Sequence, residues 1–391
     1  MKSIAYVTFC LILILSSVSL AQGQSSASIK EVAKEVVKEA QNAKAATAEK
    51  KFSAEWRLRM SGEDYHDEQS QSKIFALKTD LKAKYQLHST LLIDLQPSLR
   101  LQSGTTQSVD GADKPENKIS LTQAALVYRP LSITRISAGA LNQTYLHSDL
   151  LVDEIAFPAA RAELLLTRGT VLSAFVFETA IPTSTSLSTN TRELEPTPSL
   201  NTVALKVNLQ GSKNLYLRMT GGYFIFNNLP SAVAQSSRLL GNEVESISDA
   251  QYAFTNKFEG YEAKVDFKAP VTAWLNIVGG AQYITNTKAA AEFASGSTYG
   301  AGAEIYFNKG LSLDITGGIF SIAPEAAVSY FNANRFETNR NGYFAKTFLD
   351  FEKQGFRVGV EYQESDVMFI NSIQSKDQKV FLKLETSYAD I

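Results

Sequence analysis

Three histidines, one cysteine and no recurring His or Cys spacing are all that the 391 residues offer for nucleophilic or zinc chemistry. His147, Ser148 and Asp149 are the residue types of a hydrolytic triad, but they are consecutive. A nucleophile and its base must converge on one reacting atom, and adjacent residues of a strand or loop do not, so the triplet is not read as catalytic. His66 falls, like His147, in an expected loop, and His88 at an expected turn. No ligand spacing suits zinc and no glycine-rich loop joins a strand to a helix, so neither a metal nor a cofactor is expected and the chain is not read as an enzyme. Glu243, Glu245 and Asp249 have the chemistry to hold a divalent ion, and equally to keep an exposed loop soluble.

The chemistry left is that of charges held in alternation. In KKFSAEWRLRMSG, residues 50–62, Phe52, Ala54, Trp56, Leu58 and Met60 share one parity, while Ser53, Glu55, Arg57, Arg59 and Ser61 share the other. Successive side chains of a strand point to opposite faces, so one face is apolar and the other carries two arginines and a glutamate. A soluble sandwich turns the apolar face inward. A membrane barrel turns it outward to lipid and lines a wet lumen with the charges.

The elements that must position these charges follow the same pattern. Phe75, Leu77, Leu81, Ala83 and Tyr85 oppose Lys78, Asp80, Lys82 and Lys84, and Leu91, Ile93, Leu95, Leu99 and Leu101 oppose Asp94, Gln96, Ser98 and Arg100. The alternation recurs down to Val380, Leu382, Leu384 and Tyr388, in about sixteen segments, most of about 9 to 13 residues, the length at which a tilted strand crosses a bilayer. Short connections (HST after the second segment, RPLS at 129–132, RGT at 168–170, NKG at 308–310, EKQG at 352–355) alternate with long ones: 61–72, 103–117, 143–160, 181–198, 227–256, 286–296, 321–341 and 364–377. Long loops confined to one end are the mark of an up-and-down barrel. The expected fold is therefore all-β: a transmembrane antiparallel barrel of about sixteen strands over residues 52–391, with Phe52, Trp56 and Leu58 toward lipid and Arg57 and Arg59 toward the lumen.

Two segments stand outside the barrel. Lys2, an apolar run from Ile4 to about Leu20, and small residues at Ser19 and Ala21 read as a secretory signal cleaved after Ala21, taking Cys10 with it. No disulfide chemistry would then support the mature chain. Residues 22–51 place Ile29, Val32, Val36 and Ala40 at helical spacing, the pattern of an amphipathic helix suited to a short coiled coil, to docking, or to a partly solvated linker. Net charge is −2, which argues neither for nor against a polyanionic partner such as nucleic acid.

Residues 52–391 resemble the Gram-negative outer-membrane porins. QKVFLKLETSYADI at the carboxy terminus resembles the signal that the barrel-assembly machinery reads, with alternate apolar residues leading to Tyr388, but it runs on through ADI. ISLTQAALVYRPLSITRISAGALNQ, residues 119–143, looks like the strand pair ahead of the third outer loop of porins, and the leading helix is similar to the periplasmic coiled coils of some trimeric porins. The resemblance implies an outer-membrane location, a helix in the periplasm, lipid and lipopolysaccharide as surroundings, and a homo-oligomer, a trimer in the family. It also implies passive passage of small hydrophilic solutes and ions through a water-filled channel, which a wall of sixteen strands is wide enough to leave. The third loop would fold inward with Asp149, Asp153 and Glu154, opposite Arg57, Arg59, Lys78, Lys82, Lys84 and Arg100 on the first three strands. Such opposed walls orient dipolar solutes. A structural or adhesive barrel acting through its long loops, and a barrel plugged by its own helix, remain the alternatives.

Overall fold

The computed structural model describes residues 51–68, 70–107, 115–182, 195–211, 215–248, 251–332 and 336–390; the expected signal and amino-terminal helix lie outside them. Sixteen strands form the wall: β1 (Phe52–Asp67), β2 (Gln71–His88), β3 (Leu91–Gln107), β4 (Lys118–Tyr128), β5 (Thr134–Asn142), β6 (Ala156–Arg168), β7 (Val171–Ala180), β8 (Ser199–Gln210), β9 (Tyr216–Asn227), β10 (Glu259–Pro270), β11 (Leu275–Asn286), β12 (Ser295–Asn308), β13 (Leu311–Ile322), β14 (Arg340–Phe351), β15 (Phe356–Val367) and β16 (Asp377–Thr386). Each is antiparallel to its sequence neighbours, and β1 pairs with both β2 and β16, which closes the barrel and leaves no free edge.

Side-chain parity follows the register. Trp56, Leu99, Phe177, Leu205, Tyr261 and Ile319 stand exposed on the outer face, while Arg57 and Asp80, paired across β1 and β2, point inward. Among the described residues the connections at one end are tight. Arg168 to Val171 turns through Gly169 at φ 59°, and Phe351 to Phe356 through Gly355 at φ 69°, backbone positions that glycine adopts without strain.

At the other end the first connection is shorter than the expected 61–72. β1 continues to Asp67 and β2 begins at Gln71. Ser61, Gly62, Glu63 and Asp64 break the apolar alternation because both faces are wet above the apolar belt, yet the ladder goes on, with Glu63 opposite Ile74 and Tyr65 opposite Ser72. Likewise β3 runs to Gln107, past the expected start of the second loop.

The core sits inside the barrel. On the inward parity of β6, β9, β11 and β13, Phe157, Phe224, Phe226, Ile284, Phe320 and Ile322 are buried near the long-loop end. They pack with Leu150, Leu151 and Val152 of the connection 143–155, with Val233 of helix α1 (Ser231–Leu239), and with Ala326, Val328 and Phe331 of the connection 323–339. Phe157 meets Phe331 edge-on at 5.2 Å, and Phe226 stacks on it at 5.9 Å. Each buried phenylalanine or leucine contributes roughly 1.5 to 3 kcal/mol relative to exposure, so three connections are held against one side of the lumen.

Candidate functional site

The basic wall is built on β1 and β2, where the ladder sets Arg57 against Asp80, Arg59 against Lys78 and Glu55 against Lys82. Asp80 is its hub. It accepts from Arg57 at 3.0 Å, from Arg59 at 2.7 Å and from the Ser98 hydroxyl at 3.0 Å, with Lys78 at 3.9 Å. One buried carboxylate thus fixes three long cationic side chains on the wall, which lowers the entropy they would otherwise keep.

The facing element is the connection 143–155. β5 has only nine residues, so the chain leaves the wall early, at Asn142, whose side chain accepts from the Thr144 amide at 3.0 Å and starts a tight turn inward. Across the lumen, Glu262 of β10 receives the loop. His147 Nδ1 lies 2.5 Å from one of its oxygens, and the Ser148 amide and hydroxyl both donate to the other at 2.8 Å. Asp149 follows, accepting from Lys264 Nζ at 3.1 Å and from Gln282 Nε2 at 3.3 Å. Leu150–Val152 enter the core, the Asp153 amide donates to the Phe331 carbonyl at 2.9 Å, and Glu154 turns back at φ 47°. Left-handed backbone costs a non-glycine residue on the order of 1 kcal/mol and needs surrounding contacts to hold it.

Between wall and loop lies a polar cavity of about 290 Å³. Arg57, Arg59, Lys78 and Lys82 line one side, and Asp149, Asp153 and Glu154 the other, with Lys78 and Glu154 3.8 Å apart. Of the expected candidates, Lys84 and Arg100 are outside it. Lys84 sits nearer the tight-turn end, opposite Asp94, and Arg100 pairs across β3 with Lys78 but faces open lumen.

Three participants escaped the sequence reading. Glu262 and Lys264 are inward residues of a strand far along the chain, and nothing local ties them to residues 147–149. Tyr388, read with the outward apolar residues of the last strand, lines the cavity instead. β1 pairs Arg59 with Glu385 but Trp56 with Ala389, so one extra residue intervenes and the parity flips.

No protein-family model and no curated protein sequence matches the chain. Among solved structures it is similar to OprB of Pseudomonas putida in its high-pH structure, 12% identical over 86% of this chain and 93% of that one, with a TM-score of 0.52. It is also similar to a loop L8 deletion mutant of OmpT, an outer membrane protein of Vibrio cholerae, 8% identical over 87% of this chain and all of that one, TM-score 0.51. The fold is that of an outer-membrane porin. In porin terms residues 143–155 are the third long loop, L3, and 228–258 and 323–339 are L5 and L7. L3 is seated by Glu262, Lys264 and the lumen core, with its carboxylates facing the basic wall.

Proposed function

We propose that this barrel is a water-filled channel for passive diffusion of small hydrophilic solutes and ions across a Gram-negative outer membrane. The observation that carries the reading is the polar cavity between L3 and the β1–β2 wall, with Arg57, Arg59, Lys78 and Lys82 around Asp80 on one side and Asp149, Asp153 and Glu154 on the other. Charges of opposite sign across a narrow wet gap admit water and dipolar solutes and raise the cost of an apolar one. Arg57, Arg59, Lys78, Lys82, Asp149, Asp153 and Glu154 are the constriction residues of this reading, and Lys84 and Arg100 belong to the approach to it.

The chain is read as having no catalytic role. Ser148 donates its hydroxyl to Glu262 and not to an imidazole, and His147 is fully buried, so neither is placed to act on a solute. The barrel stands in lipid and lipopolysaccharide, is inserted by the barrel-assembly machinery, and forms a homo-oligomer. A structural or adhesive barrel is the second reading, favoured by the apolar core that fills one side of the lumen. Swelling of proteoliposomes in sugars and amino acids of increasing size separates the two: a channel gives rates that fall with solute size, a filled barrel gives none.

A further inference from the structure

The last strand does not end as its pattern suggests. β16 pairs with β1 in one register from Asp377 to Glu385; then the Leu58 amide donates to the Thr386 hydroxyl at 2.9 Å, the Ser387 amide to the Gly355 carbonyl at 2.7 Å, and pairing resumes one residue out of step at Ala389. The bulge turns Tyr388 into the lumen, opposite Arg57. Its ring lies 3.6 Å from Lys82 Nζ and 4.6 Å from the Arg57 guanidinium, and it lines the cavity that L3 faces. Arg57 is also held by Asp80, whereas Lys82, opposite Glu55 in the ladder, has the Tyr388 ring face against its ammonium group.

We propose that Tyr388 is a specificity-determining residue of the constriction, which screens Lys82 and Arg57 from solutes and so limits the weighting of the channel toward small anions such as chloride and carboxylates. The inference rests on the channel reading. A ring against a cation offers it the negative face of the π-system and displaces water from it, leaving less of its charge to act on a passing anion. Arg59 and Lys78, further along the wall, are not covered by this ring and carry the field that meets L3.

Reversal potentials in a potassium chloride gradient and single-channel currents, on full-length protein in planar bilayers, test this. Tyr388→Ala should raise the anion-to-cation permeability ratio roughly twofold, whereas Tyr388→Phe, which keeps the ring, should leave it unchanged. Lys82→Met leaves the chain end intact and should change the ratio less than Lys78→Met does, because Lys82 is already screened. In Tyr388→Cys on a Cys10→Ser background an anionic methanethiosulfonate reagent should lower the current and the anion weighting, with no effect on the Cys10→Ser parent. A conducting wild type with Tyr388→Cys insensitive to the reagent, or with Lys82→Met as strong as Lys78→Met, overturns the role of Tyr388 and leaves the channel reading standing. A wild type that passes no current overturns both.

Discussion

Lys78 of β2 and Glu154 of L3 face each other 3.8 Å apart across the lumen cavity, although 76 positions separate them in the chain. Glu154 holds this place with a φ of 47°, and its side chain is more than half exposed, so the pair is hydrated and worth little as a stabilising contact. In the proposed channel its significance is the field between wall and loop. Glu154→Lys should shift reversal potentials toward anions and Lys78→Glu toward cations, and the double exchange should return near wild type. The shifts should shrink between 0.1 and 1 M salt, where the Debye length falls from about 10 to about 3 Å. Equal shifts at both concentrations would place these residues away from the narrow part.

Glu262 accepts two hydrogen bonds from Ser148 and lies 2.5 Å from His147 Nδ1 in a buried setting, and its loss should be felt in L3 more than in the wall. Leaving the buried Ser148 amide and hydroxyl without an acceptor costs about 1 to 3 kcal/mol for each group. Glu262→Ala should leave the folded, heat-modifiable band intact on electrophoresis while adding open-channel noise and spread in unit current, as L3 samples more positions.

Face assignment predicts an asymmetry along β8. Leu205 is half-exposed on the outer face, and arginine there should cost about 2 to 4 kcal/mol at the bilayer midplane. Asn208 is on the inward parity, paired with Arg218, and arginine at that position should cost far less. Urea titrations of refolding into lipid vesicles measure the difference, and equal losses would contradict the register.

L5 and L7 meet at a buried carboxyl. Glu325 is 1% exposed, accepts from the Glu243 amide at 2.7 Å and has Asn256 at 3.5 Å, and burial pushes it up from 4.5 to about 7. A folded-state value above the unfolded one means that the closed loops keep a proton the open loops release. The L5–L7 contact should be firmest below pH 4.5 and weaken as pH rises through about 7. Amide exchange at Glu243, corrected for intrinsic rate, should accelerate across that window in wild type and stay flat in Glu325→Gln.

The wall was legible in the sequence; of its contents the inward third loop followed from the resemblance to porins, and the groups that seat it did not. Period-two alternation and the long-short rhythm of connections specify strands, closure and face, because lipid on one side and water on the other impose them on every strand. Where both sides are wet the rhythm fades, which is why Glu63 and Asp64 read as loop yet pair as strand. YFIFN at 223–227 and IFSI at 319–322 are apolar on both parities, a signal that the inner face there is buried too, and it points to the lumen core. The bulge at 386–388 has no such mark. A single extra residue moved Tyr388 from lipid to lumen, and only the register with β1 reveals it.

Single-channel recording of the purified protein in planar bilayers tests whether an open, hydrated path runs past L3 along the basic wall. Such a path gives discrete current steps, and a reversal potential in a salt gradient that moves toward cations when Arg59 and Lys78 are both changed to glutamate. Folded, heat-modifiable protein that inserts without current steps, or steps whose reversal potential ignores that double change, would contradict it.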